Sequence, residues 1–526
     1  MAIKFKIDKP RPKPLPTADE AYVVWVAGVA SFVFGYYGNA LSSSFAQPTF
    51  IAKFLGGKNA AGLTDAMLGT TQGGGAIGAV ISAPLSNRYG RRMTTIAAAV
   101  ATVISSALAA GSVNVAMFLV ARVLGAISTG ILMTNTPVYM SEVAPPHARG
   151  FLASAHPISV IIGLIVSSLA GLGLSFLDKP YQWRLQYVFL TFWAFVLCGA
   201  VLFIPESPRW LIKQGRRDEA WGILQKLHRS KHDPDAKLAH AEFVQIKAQI
   251  ELEEPLPKGY AYIFRTPHLR KRAYCSIIIF VQTVATGNVV IAYFLAVIFS
   301  TLGMGTTLQL GLSTVYLTVA MLGGWVNSFI MDKVGRVRLL TAGGYATCCL
   351  LSIEAALQRY YVNSGNTAGL RACLVFIFIF IAVYGCLIDC IGYVYSSEIW
   401  PTHLRSHGTT IALTSYFLNA LALSTPASSA FDSIGYKFYL IFVAINFVST
   451  TFIMLYFPET AGLTLEEISA KFGDKVAVDL NTAYLQDVST TNVEFNDKTS
   501  VPSEHREDMS ELHIASQRRM KWRDHS

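Results

Sequence analysis

Residues 66–91 read AMLGTTQGGGAIGAVISAPLSNRYGR, a run of about twenty small and apolar residues that stops at Asn87-Arg88-Tyr89-Gly90-Arg91. The same order returns in the second half of the chain, where an apolar run over 308–331 stops at Asp332-Lys333-Val334-Gly335-Arg336. Ser141-Glu142, followed by Pro145, His147 and Arg149, returns as Ser397-Glu398, followed by Pro401, His403 and Arg405 at the same offsets. Pro205-Glu206-Ser207 returns as Pro458-Glu459-Thr460. The three displacements are 245, 256 and 253 residues. Three motifs recurring in one order after corresponding apolar runs mark an internal duplication.

Around these motifs the chain contains twelve apolar spans: about 21–43, 66–86, 94–112, 114–138, 151–175, 186–204, 273–300, 308–331, 338–358, 372–396, 409–428 and 437–457. Each approaches the ~20 residues that a helix needs to cross ~30 Å of hydrocarbon. Of the 526 residues 14% are charged and 52% hydrophobic, with a mean hydropathy of +0.41. A soluble chain of this length would need more charge to cover its surfaces. The expected fold is therefore an all-α membrane protein: twelve transmembrane helices in two six-helix, pseudo-symmetric bundles over 21–204 and 273–457. Such halves rock against each other around a midplane site.

The remaining segments are polar. Residues 1–20 form an N-terminal arm, and Met1–Thr17 has no apolar core before a cleavage site, so the first span is expected to stay in the mature protein. The linker 205–272 carries 14 Lys and Arg, and within it Gln214–Leu227 and Ala239–Glu254 have the pattern of short amphipathic helices. The tail 458–526 is expected to be largely disordered. Arg88, Arg91, Arg92, Arg149, the linker cations, Lys333, Arg336, Arg338 and Arg405 all fall on one side, which places both termini in the cytoplasm. That distribution also accounts for the net charge of +10 without a nucleic-acid partner. Cys198, Cys275, Cys348, Cys349, Cys373, Cys386 and Cys390 all lie in apolar runs, which indicates neither disulfides nor a metal site.

These motifs carry a resemblance. Arg88-Tyr89-Gly90-Arg91-Arg92, the run from Pro137 through Tyr139, Ser141, Glu142 and Pro145 to Arg149-Gly150, Pro205-Glu206-Ser207-Pro208-Arg209-Trp210 and Pro458-Glu459-Thr460 resemble the signatures of the sugar porter family of the major facilitator superfamily. Ser397-Glu398-Ile399-Trp400-Pro401 with Arg405 is similar to the second-half version, in the form of fungal members. The likeness spans residues ~20–470 and is far more specific for fold than for substrate.

Charges at the cytoplasmic helix ends can pair across the seam between bundles and latch a gate. The expected partners are Glu142 and Arg149 with Arg91 in the first half, and Glu398 and Arg405 with Arg336 and Asp332 in the second; the plainer alternative is that the basic residues only set topology. Asn87 stands where the family usually has Asp, which should weaken the first latch. Gly73-Gly74-Gly75-Ala76-Ile77-Gly78 fits a dinucleotide fingerprint, but it lies inside an apolar span with no strand before it. Gly74 and Gly78 are better explained by close helix packing. No cofactor is expected.

Polar groups inside spans point to the substrate site. In span 7, Gln282, Thr283, Asn288 and Tyr293 match a family segment whose amides bind sugar hydroxyls, with Thr283 in place of a second Gln; interhelical hydrogen bonding is the alternative. The resemblance also puts Tyr393 at a position usually held by Trp. Pro157, beside His156, replaces a sugar-contacting Gln, and Tyr416-Phe417-Leu418-Asn419 covers an Asn-Trp and a downstream Asn. Phe34-Gly35-Tyr36-Tyr37 corresponds to Phe-Gly-Tyr-Asp, so Tyr37 replaces the usual proton acceptor and Arg122 loses its expected partner. Asp389 has no family counterpart. It suits a relocated proton site, a ligand group for a basic or hydroxylated substrate, or a structural partner for a neighbouring helix.

The expected function is a secondary transporter of a sugar, polyol or related polyhydroxy compound, working by alternating access in the plasma membrane. A proton is an optional second passenger, the bilayer is the surrounding partner, and the chain is expected to act as a monomer. No P-loop, nucleophile–base pair or metal cluster supports an enzyme. The rivals are a carrier or exporter of a less polar metabolite, motivated by Pro157, Thr283 and Tyr37, and a non-transporting nutrient sensor.

Overall fold

The computed structural model describes residues 18–473, apart from 58–59, 144–148, 178–180, 228–236, 254–256, 258, 302–303, 362–365, 402, 462, 464–467 and 469–470. All twelve expected spans are helical. The first half comprises α1 (Ala18–Phe45), α2 (Ala60–Tyr89), α3 (Arg91–Ala110), α4 (Val115–Val143), α5 (Arg149–Leu174) and α6 (Gln182–Val201). In the second half the seventh span is two helices, α7 (Pro267–Ala285) and α8 (Asn288–Thr301). It continues with α9 (Thr306–Val334), α10 (Arg336–Tyr361), α11 (Thr367–Leu387), α12 (Asp389–Glu398), α13 (Arg405–Ser424) and α14 (Lys437–Tyr456). The tenth span is likewise divided, between α11 and α12.

The two breaks have local causes. Between α7 and α8 the chain turns at Gly287, whose φ of +81° lies in the left-handed region that a side chain disfavours. Between α11 and α12, Ile388 departs from helical geometry at φ −125°, ψ −49°. Each half-helix that follows opens with a polar residue, Asn288 in one case and Asp389 in the other. Interrupted helices at membrane depth are tolerated where they line a cavity.

Among the described residues, nine helical runs are long and apolar enough to cross a membrane by length and composition. The other three expected spans are α1, α2 and α13. Of these, α2 and α13 are rich in Gly, Ser and Thr, and they face each other across the seam between the halves. Gly75 lies under the Phe417 ring, and Gly69 under Thr425. The seam is completed by α5 against α9 and α1 against α8. Inside the first half α2 packs on α4, where a Cβ on Gly74 would meet Ala126 at 2.6 Å and one on Gly78 would strike the backbone of Ile127. The glycine run is therefore a packing surface in mid-helix.

In the linker, short helices over Pro208–Lys213, Arg217–Leu227 and Lys237–Glu253 share a separate small core of Trp210, Leu211, Ile212, Ala220, Leu224, Ala239 and Ile246. They cover the end of the bundle at which the duplicated motifs gather, called here the linker end.

Candidate functional site

The duplicated motifs build the same cluster twice at the linker end. Gly90 and Gly335, at φ +93° and +110°, turn the chain into α3 and α10. Their missing side chains make room for a carboxylate. Glu206 accepts from the backbone N–H of Arg91 at 2.9 Å, and Glu459 from that of Arg336 at 2.8 Å, so each caps the start of a helix. Burial pushes the Glu206 carboxyl up, against the pull of the backbone N–H groups of Ser207, Arg92 and Arg91. The Tyr139 hydroxyl donates to the Pro205 carbonyl and the Tyr395 hydroxyl to that of Pro458, at 2.7 and 3.1 Å.

The ion pairs repeat as well. Arg91 grips Glu142 in a two-pronged contact, Nε–Oε2 2.8 Å and Nη2–Oε1 2.9 Å, with Ser207 donating to the same carboxylate at 2.6 Å. Arg336 reaches Glu398 at 3.1 Å and Asp332 at 2.8 Å, and Thr460 donates to Glu398 at 3.3 Å. All of these pairs lie within one half. Each Arg starts the helix beside its own acid, so these pairs tie helices of one half together and do not themselves span the seam. Asn87 does cross the seam here: its side-chain amide lies 3.1 Å (Nδ2) and 3.2 Å (Oδ1) from the Ser406 hydroxyl. Arg405 is buried in the first turn of α13; the side chain of Arg149 lies outside the described residues.

Midway along the seam is a cavity of about 130 Å³. The first half contributes Phe34, Asn39, Pro157, Val160, Ile161 and Leu164; the second contributes Asn288, Tyr293, Tyr316, Tyr384, Asp389, Tyr393 and Tyr416. Tyr316 donates to Asn288 Oδ1 at 3.0 Å, and Gln72 donates to the Tyr293 hydroxyl at 3.2 Å across the seam. Tyr393 packs edge-on against Phe280 and against His156, whose Nδ1 is 2.7 Å from Ser31 Oγ. On the side away from the linker the seam is bridged by Ser168 to Thr314 at 2.8 Å and by Ser429 to Asp65 at 2.6 Å. The Asn87–Ser406 contact bridges it on the linker side.

Of the expected binding residues, Asn288, Tyr293 and Tyr393 line this cavity and three do not. Gln282 is fully buried and donates to the Leu340 carbonyl at 3.1 Å and to Thr450 at 2.8 Å, toward α10 and α14. Thr283 bonds back to Ile279 at 2.8 Å, and Asn419 to Ser415 at 2.8 Å on its own helix. Their helical phase turns them away, six residues separating Gln282 from Asn288 on either side of a break. Asn39, Tyr316 and Tyr384 were missed; an amide or a tyrosine inside an apolar span is the signal that could have found them. Glu354, also missed, is buried in α10 and accepts from Gln358 at 2.9 Å.

Arg122 is fully buried but not stranded. Its guanidinium lies over the Tyr37 ring and donates to Thr71 Oγ1 at 2.8 Å and to the Tyr37 carbonyl at 3.3 Å. The residue that replaces the usual acid has become the cation's partner, through its ring face.

The family profile described as "Sugar (and other) transporter" matches residues 23–472. An MFS-type transporter, criB, of Aspergillus cristatus is 30% identical over 477 residues, which is 90% of this chain and 97% of that protein. The low-affinity glucose transporter HXT3 of Saccharomyces cerevisiae is 26% identical, over 85% of this chain and 80% of its own length. Among solved structures, the proton:xylose symporter XylE of E. coli, bound to 6-bromo-6-deoxy-D-glucose, superposes with a TM-score of 0.76 at 22% identity, covering 87% of this chain and 100% of that one. Matches along nearly the whole length make this a multi-pass membrane transporter and not an enzyme: the chain belongs to the sugar (and other) transporter family of the major facilitator superfamily.

Proposed function

We propose that the chain carries a small organic solute through the seam cavity by alternating access, the default passenger being a sugar, polyol or related polyhydroxy compound. The observation that carries this is the cavity's position: both halves line it, and polar contacts bridge the seam on either side of it. Rocking that breaks one set of bridges at a time would open the cavity to one side at a time. Asn39, Asn288 and five tyrosine hydroxyls supply donors and acceptors for hydroxyl groups. Several relatives are named as glucose transporters, and one from Schizosaccharomyces pombe as a gluconate transporter.

In this reading the halves 21–204 and 273–457 are the moving bodies, the linker 205–272 and both termini are cytoplasmic, the membrane is the plasma membrane, and one chain suffices. A second reading, a less polar metabolite, is favoured by the cavity's apolar wall and by Gln282, Thr283 and Asn419 facing elsewhere. Purified protein in proteoliposomes, tested for counterflow of labelled glucose, a polyol, quinate and a hydrophobic metabolite, separates the two. A ligand present at a hundredfold excess over its Kd also stabilises by about 2.7 kcal/mol in a thermal melt. Binding without exchange across the bilayer would favour the sensor.

A further inference from the structure

Among the described residues that line the cavity one side chain is formally charged, and it is an acid: Asp389 lines it, and no described Lys, Arg or His does. Arg122, a cation buried in the first half, is held by Tyr37 and Thr71 outside the lining. Around the carboxylate the walls are aromatic. Tyr316, Tyr384, Tyr393 and Tyr416, from four different helices, line the same cavity as Asp389. Val160, Ile161 and Leu164 add an apolar wall from the first half.

A carboxylate in a low-dielectric site is costly without a compensating charge. The described lining residues supply none, so the compensation is left to whatever enters. We propose that the cavity takes an organic cation, a compact amine or ammonium compound whose charge sits against Asp389 and whose body packs among the tyrosine rings. This rests on the reading of the cavity as the transport site and sets an organic cation in place of the default polyhydroxy passenger. Aromatic faces attract cations through the ring quadrupole. An ammonium group brings three donors and no acceptor, which matches a carboxylate and tyrosine hydroxyl oxygens. A neutral polyol could hydrogen-bond Asp389 but would leave its charge uncompensated.

Tyramine and tyrosol share a phenol ring and a two-carbon chain and differ in ammonium against hydroxyl. Their affinities for the full-length protein are measured in detergent by thermal stabilisation, with glucose as a neutral polyhydroxy reference. Tyramine should bind at least about tenfold more tightly than tyrosol, the scale of one charge-assisted contact. Asp389→Asn should reduce that preference to about twofold or less, and Asp389→Glu should keep most of it. Equal binding of the two by the wild-type protein, or no binding of tyramine, overturns the proposal without recourse to any variant. Glucose that binds wild type and Asp389→Asn alike, with tyramine inert, overturns it while leaving the carrier reading intact. Tyramine that binds in an Asp389-dependent way but does not exchange in proteoliposomes supports the cation site and defeats the transport reading instead.

Discussion

The guanidinium carbon of Arg122 lies 4.0 Å from the centroid of the Tyr37 ring, and the Tyr37 hydroxyl donates to the Arg122 backbone carbonyl at 2.5 Å. The two residues thus hold each other at both ends, both buried within the first half. A buried cation is tolerated here because the ring face, Thr71 and a carbonyl together replace water.

Tyr37→Phe and Tyr37→Ala should therefore differ. Phe keeps the ring face and loses one hydrogen bond, about 1 kcal/mol. Ala removes the ring and opens a cavity beside a charge, about 3–5 kcal/mol. Denaturation midpoints in detergent would show the split; equal losses would mean that the hydroxyl, not the ring face, supports Arg122.

The two ion-pair clusters should respond unequally. Arg91 and Glu142 are 7% and 4% exposed, so Arg91→Ala leaves a buried carboxylate without its partner, at a cost of about 3–5 kcal/mol. Around Arg336 the acids are more open, Glu398 at 17% and Asp332 at 56%, and Arg336→Ala should cost about half as much. Thermal melts of both variants test this. The opposite ranking would show that exposure does not set the balance.

Across the seam, Ser406→Ala removes the hydroxyl that meets Asn87. Released from that contact, the halves should part more readily at the linker end. A cysteine placed on the α13 face there should react faster with a membrane-impermeant thiol reagent from that side, and unchanged labelling would remove Asn87–Ser406 as a gate contact.

Asn288 and Gln282 separate binding from packing. Asn288→Ala should raise KM or Kd by about 1–3 kcal/mol equivalent, as for a lost buried partner, with little change in melting. Gln282→Ala should lower the melting temperature and leave KM near wild type, because both of its hydrogen bonds run to α10 and α14. If Gln282→Ala raises KM with an unaltered melt, the amide turns into the cavity during the cycle.

The linker-end clusters were legible because their motifs are local and duplicated. A Gly before a helix, an acid after a Pro and an Arg one position on are constrained by backbone geometry that repeats wherever the sequence does. The cavity was less legible because lining is decided by helix phase and by breaks. Gly287 and Ile388 each reset the phase of a span. After those breaks Asn288 and Asp389 face inward, whereas Gln282, counted on an unbroken helix, does not. Tyr37 could be recognised as a missing acid, but its use as a ring for Arg122 depends on a side-chain packing that no spacing encodes.

Coupling follows from the same site. A symporter needs a group that gains and loses a proton between the two orientations. Tyr37 does not serve, since a phenol ordinarily titrates near ~10. Asp389 is left as the candidate, and in the reading above its charge is met by the passenger and not by a proton. An imposed pH gradient should then drive no accumulation of tyramine or glucose in proteoliposomes. A potassium diffusion potential, negative inside, should drive tyramine alone, because each positive charge moved gains about 2.3 kcal/mol per 100 mV, close to fiftyfold accumulation. Accumulation that follows the pH gradient in wild type and vanishes in Asp389→Asn, with counterflow intact, would instead make Asp389 the proton carrier. Accumulation that survives in Asp389→Asn would place the coupling group elsewhere, and Glu354, a carboxylate buried in α10, would be the next to replace.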